Sequence, residues 1–245
     1  MSALEDLFTS DIEPTRVAAI IFEPVQGEGG FYPAPERWAI AIREICDRHG
    51  IVLICDEIQT GFARTGKMFA SEHLGIIPDM TTMAKGIAGG FPISALVGKA
   101  EIMDAANPGG LGGTYAASPI ACVAALEVLK IIQQDKLCER ATHIGERFNA
   151  RLSQMKEEIS CISEVRQQGA MIAIELSDPS TKAPLADITK QLVAQALPKG
   201  VVLLSCGVKG NVIRFLPPLT IEEELIENGL TVVYEELSKI WQNYK

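Results

Sequence analysis

The sequence predicts an α/β fold in which part of a large, mostly parallel sheet is followed by a smaller α+β unit. Three observations carry that expectation. First, three short apolar runs each end in a charge: V-A-A-I-I-F before Glu23, I-V-L-I-C before Asp56 and M-T-T-M-A before Lys85. Second, a helical pattern separates the first two runs, and strand, helix, strand implies a right-handed parallel crossover. Third, after about residue 133 the helices carry more charge and a strand of alternating pattern appears, so residues 1–133 and 134–245 are expected to form two domains.

The elements follow in order. Residues 17–22 are apolar and β-branched, which predicts a fully buried strand closed by Glu23 and Pro24. The loop V-Q-G-E-G-G-F-Y-P-A-P is long and shaped by its glycines and prolines, the kind of strand-end loop that carries function. Residues 36–49 place Trp38, Ala39, Ile42, Ile45 and Cys46 on one helical face, and Gly50 stops the helix. A strand at 51–55 leads through Q-T-G-F-A-R-T-G-K to a short helix at 68–74, and further strands are expected at 80–84 and 93–97. After the glycine-rich N-P-G-G-L-G-G-T-Y-A-A-S-P, residues 119–132 form an alanine-rich apolar helix, expected to pass through the body of the protein. In the second part, helices are expected at 138–159, 186–197 and 221–241, with strands from Glu164, at A-M-I-A-I-E-L (half-buried by its alternation), at V-V-L-L-S and at N-V-I-R-F-L.

Composition narrows the function. A chain of 245 residues that is 47% hydrophobic can bury a substantial core. Its 31 acidic residues against 22 basic, and the lack of a basic stripe interleaved with aromatics, argue against nucleic acid as a partner. The six cysteines show no zinc-type spacing and the three histidines are scattered, so no metal is assigned and reduced thiols are expected. No apolar run is long enough for a membrane span, and M-S-A-L-E-D-L-F-T-S-D has neither the basic start nor the apolar stretch of a secretory signal. The expectation is a cytoplasmic protein with small-molecule chemistry and no membrane partner.

Singly, each charged strand end has a plainer reading: Lys85 as a solvated strand end, Asp56 as a strand cap, Glu23 as punctuation before proline. Together, on neighbouring parallel strands, they would share the carboxyl edge of one sheet, where open α/β folds bind ligands. A carboxylate and an amine at one edge are what pyridoxal phosphate requires, one to hold a protonated pyridine ring and one to link to its aldehyde.

Four ordered motifs add to this: E-P-V-Q-G-E-G-G (23–30), L-I-C-D-E-I-Q-T-G-F-A-R-T-G (53–66), T-T-M-A-K-G-I-A-G-G-F-P (81–92) and G-G-L-G-G-T-Y-A-A-S-P (109–119). In this order they resemble the central signature of class III, fold type I aminotransferases, over essentially the whole chain. The segment L-S-C-G-V-K-G-N-V-I-R-F-L-P-P-L-T looks most like the 4-aminobutyrate aminotransferases.

The resemblance implies a fold type I large domain, pyridoxal 5'-phosphate as cofactor, and transamination of 4-aminobutyrate with 2-oxoglutarate to give succinate semialdehyde and glutamate. It implies small amino acid and 2-oxo acid substrates and, in the full-length form, a homodimer or dimer of dimers. Lys85 matches the lysine that links to the cofactor and then moves the proton, and burial would favour its neutral amine. Asp56 matches the partner of the pyridine nitrogen, Ile58 the residue against one ring face, and Gln59 the amide near the ring hydroxyl. Thr114 matches the threonine that reaches the phosphate of the neighbouring subunit. Arg214 matches the fork for a substrate carboxylate. Glu28 matches the glutamate that pairs with that arginine or swings away, while Glu23 is left structural.

In the resembled family a long amino-terminal portion precedes E-P-V-Q-G-E-G-G and supplies the phosphate-cradling backbone loop and an aromatic that stacks on the ring. Neither pattern occurs before residue 23, so a fragment whose isolated form is inactive is expected. The alternatives are a relative acting on another ω-amine (ornithine, acetylornithine, 5-aminovalerate or a putrescine-derived compound) and a non-catalytic remnant.

Overall fold

A computed structural model describes residues 2–244; Met1 and Lys245, the outer limits of the two expected domains, lie outside the described residues. In chain order the first half comprises α1 (Ser2–Ser10), β1 (Ala19–Phe22), β2 (Val25–Gln26), β3 (Tyr32–Pro33), α2 (Glu36–His49), β4 (Val52–Asp56), β5 (Met80–Met83), β6 (Ala95–Gly98), α3 (Ala100–Met103) and α4 (Pro119–Gln134). The second comprises α5 (Leu137–Glu158), β7 (Ile162–Gln168), β8 (Met171–Leu176), α6 (Ala186–Ala196), β9 (Leu204–Cys206), β10 (Val212–Phe215) and α7 (Glu223–Tyr244). The chain divides into two compact units. One holds the residues up to Pro24 with Ala34–Ala63 and Lys67–Lys136. The other holds those from Leu137 onward together with two excursions of the first half, Val25–Pro33 and Arg64–Gly66.

The first unit is built on a four-stranded sheet in the order β1-β4-β5-β6, parallel except for the β5–β6 pair. The apolar stripe of α2 decides its packing: Ala39, Ile42 and Cys46 cluster with Ile51, Leu53 and Cys55 of the β4 segment and with Leu74 and Ile76. Gly50 ends α2 as expected, with φ +67 and its N–H donating to Cys46 O, a conformation glycine adopts without a Cβ clash.

Two elements are less buried than their sequence suggests. β1 was expected to be fully buried, yet Ala19 and Ile21 are exposed, because the strand lies at the sheet edge with β4 as its one strand neighbour. α4 was expected to run through the interior, yet Ile120, Val123 and Leu126 are 60–67% exposed. The helix packs chiefly on the 3-10 turn Lys85–Ala88, and of its own residues Ala121 and Ile132 are the buried ones.

The second unit is a four-stranded antiparallel sheet in the order β7-β8-β10-β9. One face, with Ile172, Ile174, Leu176, Ile213 and Phe215, packs on apolar residues of α5, α6 and α7. The opposite face carries Met171, Ala173 and Val212, covered by Val25 and Phe31 of the excursion Val25–Pro33 and by Cys206. Strand β8 is therefore buried on both faces rather than half-buried: its alternation sends one set of side chains to each cluster, and both are apolar. All six cysteines are free thiols, and no helix among the described residues is long and apolar enough to cross a membrane.

Candidate functional site

The first unit brings the charged strand ends to one edge. β1, β4 and β5 are adjacent and parallel, with Phe22 level with Cys55 and Asp56 level with Thr82. Glu23, Asp56 and Lys85 therefore follow the carboxyl ends of three consecutive strands, the position at which open α/β sheets hold ligands.

Asp56 is half-buried, and its Oδ1 accepts the Ile58 N–H at 3.0 Å. That bond turns the chain immediately after β4 and sets Ile58 and Gln59, both half-buried, beside the strand end. Gln59 Oε1 is buried with no hydrogen-bond partner among the described residues, as is Thr82 Oγ1 on the adjoining strand. A buried amide oxygen without a partner forfeits about 1–3 kcal/mol, so the position fits a polar ligand atom; the amide's orientation is interchangeable, and it can donate as well as accept.

Lys85 enters the 3-10 turn Lys85–Ala88 with φ +47. For a side chain bearing a Cβ, that left-handed conformation costs about 1–3 kcal/mol and persists only where the surroundings enforce it. Here the enforcement comes from the Ile87 N–H donating to Ala84 O at 3.2 Å, from the buried Ile87 and Ala88, and from α4 packed on the turn. The Lys85 side chain is exposed, so the burial expected for its amine is not supplied by the described residues: the chain leaves the sheet at this residue. A carboxylate, an orphaned amide and a primary amine on a strained turn form a donor set that fits an aldehyde-bearing, protonated heterocycle. Thr114 stands apart from them, exposed within an exposed glycine-rich stretch at 109–117.

The second unit contains the other two expected residues, and they are paired. Arg214 lies on the central strand β10, between Ala173 of β8 and Leu204 of β9, rather than at a sheet edge. Strand alternation puts Ile213 and Phe215 in the helix-covered core and Val212 and Arg214 on the face covered by the excursion Val25–Pro33. There Arg214 Nη1 forms an ion pair with Glu28 Oε1. The arginine side chain is 14% exposed and the glutamate 74%, so the cation is fixed and the carboxylate is free to rotate away. Arg214 Nε is buried with no partner among the described residues, so the fork has unused donor capacity for a planar anion.

Several polar residues on which this arrangement depends went unassigned in the sequence. Glu57, fully buried, accepts the N–H groups of Ala70 (3.0 Å) and Ser71 (2.7 Å) and the Thr60 hydroxyl, so it ties the loop after β4 to the turn Ala70–Leu74. Asp79, also buried, accepts from Leu53 N–H (2.7 Å), Arg43 (2.9 Å) and Lys99 (2.6 Å). Burial pushes its carboxyl upward, but the Leu53 N–H, Lys99 and Arg43 outweigh burial and hold it below the usual value.

In the second unit Arg64 donates to Pro217 O at 2.7 Å, and burial lowers its guanidinium to about 10. Arg166, its side chain 5% exposed, donates Nε and Nη2 to Gly30 O (3.1 and 2.9 Å) and Nη1 to Glu164 and Glu175. Gly30 is more than a hundred residues away and Glu175 is on the next strand, and Glu164, two residues back on β7, does not by itself mark a buried cation; the one available signal was a cation within a strand that pairs with an apolar one.

Comparison with known proteins identifies the family. The family described as Aminotransferase class-III matches residues 1–237. The 5-aminovalerate aminotransferase DavT of Pseudomonas putida is 51% identical over 98% of this chain and 56% of its own length. The 4-aminobutyrate aminotransferase GabT of Escherichia coli is 50% identical over 95% of this chain and 55% of its own length. The chain thus spans about half the length of the curated relatives it matches. Among solved structures, a transaminase from the marine bacterium Virgibacillus superposes with a TM-score of 0.92 at 31% identity, over 100% of this chain and 57% of that one. The ornithine aminotransferase of Toxoplasma gondii does so with a TM-score of 0.87 at 31% identity, over 99% and 55%.

Proposed function

The chain belongs to the class-III aminotransferases, and from that premise we propose that it carries the cofactor-anchoring edge and the carboxylate-selecting pair of a pyridoxal 5'-phosphate-dependent transaminase. The proposed reaction moves the amino group of 4-aminobutyrate to 2-oxoglutarate, giving succinate semialdehyde and glutamate. The observation that supports it most is that Asp56 and Lys85 close adjacent parallel strands, with Lys85 in a left-handed conformation. The first unit is then the cofactor-binding domain and the second the smaller carboxyl-terminal one.

When bound, pyridoxal phosphate supplies an electron sink that makes the hydrogen beside the substrate nitrogen acidic. Asp56 would hold the ring nitrogen in its protonated form. Gln59 would bond the ring hydroxyl with the amide now left without a partner, and Ile58 would pack on a ring face. Lys85 would bind the cofactor covalently and, once displaced, take and return the proton at the substrate carbon. Thr114 would reach the phosphate held by the other subunit of a cytoplasmic homodimer. Arg214 would grip a substrate carboxylate, while Glu28 covers that cation for a donor that lacks a carboxylate there and rotates away for a dicarboxylate.

A second reading takes 5-aminovalerate, one methylene longer, as the donor; the likeness to DavT favours it. Borohydride reduction of the cofactor-loaded chain, followed by peptide mapping, tests the shared part. The expected result is a reduced adduct on Lys85 that disappears in Lys85→Ala, and an adduct on another lysine would overturn the assignment. Amino transfer measured separately with the two donors decides between them.

A further inference from the structure

Glu28 can serve as a switch only if its own backbone stays in place while its side chain moves. The excursion Val25–Pro33 gains that fixity from bonds at the residue itself and two residues beyond it. Gly207 N–H donates to Glu28 O at 2.9 Å, and the Arg166 guanidinium donates twice to Gly30 O, at 2.9 and 3.1 Å. The turn between these bonds is glycine by necessity at one point: Gly30 has φ +126, and a Cβ there would lie 2.7 Å from the Tyr32 ring. Just beyond it, Phe31 is buried against Met171, Ala173 and Val212.

The guanidinium is itself held on every side. Its carbon lies 3.9 Å from the centroid of the Tyr32 ring, its Nη1 meets Glu175 Oε2 at 2.6 Å, and the Tyr32 hydroxyl donates to that same oxygen at 2.6 Å. Asn211 Nδ2 donates to Leu176 O at 2.9 Å, adjoining Glu175. A cation at this place in the strand β7 would ordinarily be solvated; this one is nearly sequestered, with one side of its fork spent on a single turn and the other on the carboxylates of Glu175 and Glu164.

We propose that Arg166, braced by Tyr32 and Glu175, is the positioning residue of the Glu28–Arg214 pair: it holds the turn at Gly30 so that Glu28 competes with incoming dicarboxylates for Arg214. The inference rests on the carboxylate-selecting role given to that pair above. A looser turn weakens the hold of Glu28 on Arg214, and an external carboxylate then finds the cation less occupied. Arg166→Lys keeps the charge but cannot make the forked contact to Gly30 O and the contact to Glu175 together.

The test titrates glutarate, a dicarboxylate without an amine, into the purified chain by calorimetry, in wild type, Arg166→Lys, Glu28→Gln and the double variant, with Arg214→Gln as control. Arg166→Lys is expected to tighten glutarate about threefold or more, the scale of coupling between residues in one network. Glu28→Gln tightens it as well, and in that background Arg166→Lys adds nothing, because the competitor is gone. Amide exchange at residues 28–31 rises in Arg166→Lys while that of β8 and β10 does not.

A role confined to stability would lower the unfolding midpoint and leave glutarate affinity unchanged, or shift it equally in both backgrounds; either overturns the inference alone. Glutarate binding that is absent, or indifferent to Arg214 and Glu28, overturns the carboxylate reading and the inference with it. Should Arg166→Lys fail to fold, Tyr32→Phe removes only the bond to Glu175, and a tightening in the same direction that vanishes with Glu28→Gln is then the required result.

Discussion

The two units surround their polar residues differently. In the second unit the antiparallel sheet is covered on both faces, so that Arg214 and Arg166 stand on strands whose neighbours are fully buried Ile172, Ile174 and Ile213. In the first, the sheet has β1 exposed at one edge and α4 with an apolar face in solvent; buried Glu57 shapes the loop at the carboxyl end of β4 and buried Asp79 fixes the opposite, amino ends of β4 and β5, each meeting three donors. Apolar burial is non-directional, whereas a carboxylate receiving backbone N–H groups fixes a loop at particular atoms. The difference is that the strands carrying Arg214 and Arg166 are buried between two apolar layers, whereas the strand ends of the first unit are fixed mainly by buried carboxylates.

The two tryptophans allow the halves to be followed separately. Trp38 packs edge-on against Phe22 in the first unit, and Trp241 stacks on Tyr244 in the second. In single-tryptophan variants, each fluorescence transition in urea reports one unit. The largest effect is expected from Ile174→Ala, which opens a cavity at a fully buried position of β8. It should cost about 2–5 kcal/mol in the Trp241 transition. A loss below about 1 kcal/mol would mean that the second unit does not depend on its core in the way the comparison requires.

How much of this was legible in the sequence follows the same division. The strand ends carrying Asp56 and Lys85 were legible because a continuous apolar run closed by a charge reads as a buried parallel strand, and the observed register puts both at one edge. Glu28 and Arg214 came from the resemblance; their ion pair joins residues 186 apart, which spacing alone does not reveal. The burial of β8 was misjudged because an alternating strand reads as one-sided, and the second cover comes from Phe31 and Val25, far away in the chain. β1 and α4 erred in the other direction: apolar content states what a face would tolerate as a neighbour, not that a neighbour is present. Glu57, Asp79 and Arg166 were invisible because a buried charge is defined by its partners, and most of theirs lie on other elements of the chain.

A middle-sized effect should separate hydrogen-bonded fixation from packing. Asp79→Asn keeps an acceptor for the Leu53 N–H but removes the charge that meets Arg43 and Lys99, and is expected to cost about 1–3 kcal/mol in the Trp38 transition alone. The pH dependence has a definite sign. The folded carboxyl lies below its ordinary value, so its contribution is complete above about pH 4, the unfolded value, and is lost as pH falls through the folded one. Acid titration of wild type should therefore show a fall in the Trp38 midpoint below about pH 4 that is shallower in Asp79→Asn. Equal slopes would remove Asp79 from the account of how the first unit is held.

The smallest effect bears on the exposed face of α4. Val123 is 66% exposed, and valine and serine have similar helix propensities, so Val123→Ser should shift the Trp38 transition by no more than about 0.5 kcal/mol. The turn Lys85–Ala88 on which α4 packs is contacted from the other side of the helix, where Ala121 is buried, and should be undisturbed. The sensitive control is therefore Ala121→Leu, which forces extra volume into that contact and should cost about 1–3 kcal/mol while perturbing the left-handed Lys85. If Val123→Ser proves as costly as Ala121→Leu, the exposed face of α4 is covered in solution, and the contrast between a packed second unit and an open first one fails at that helix.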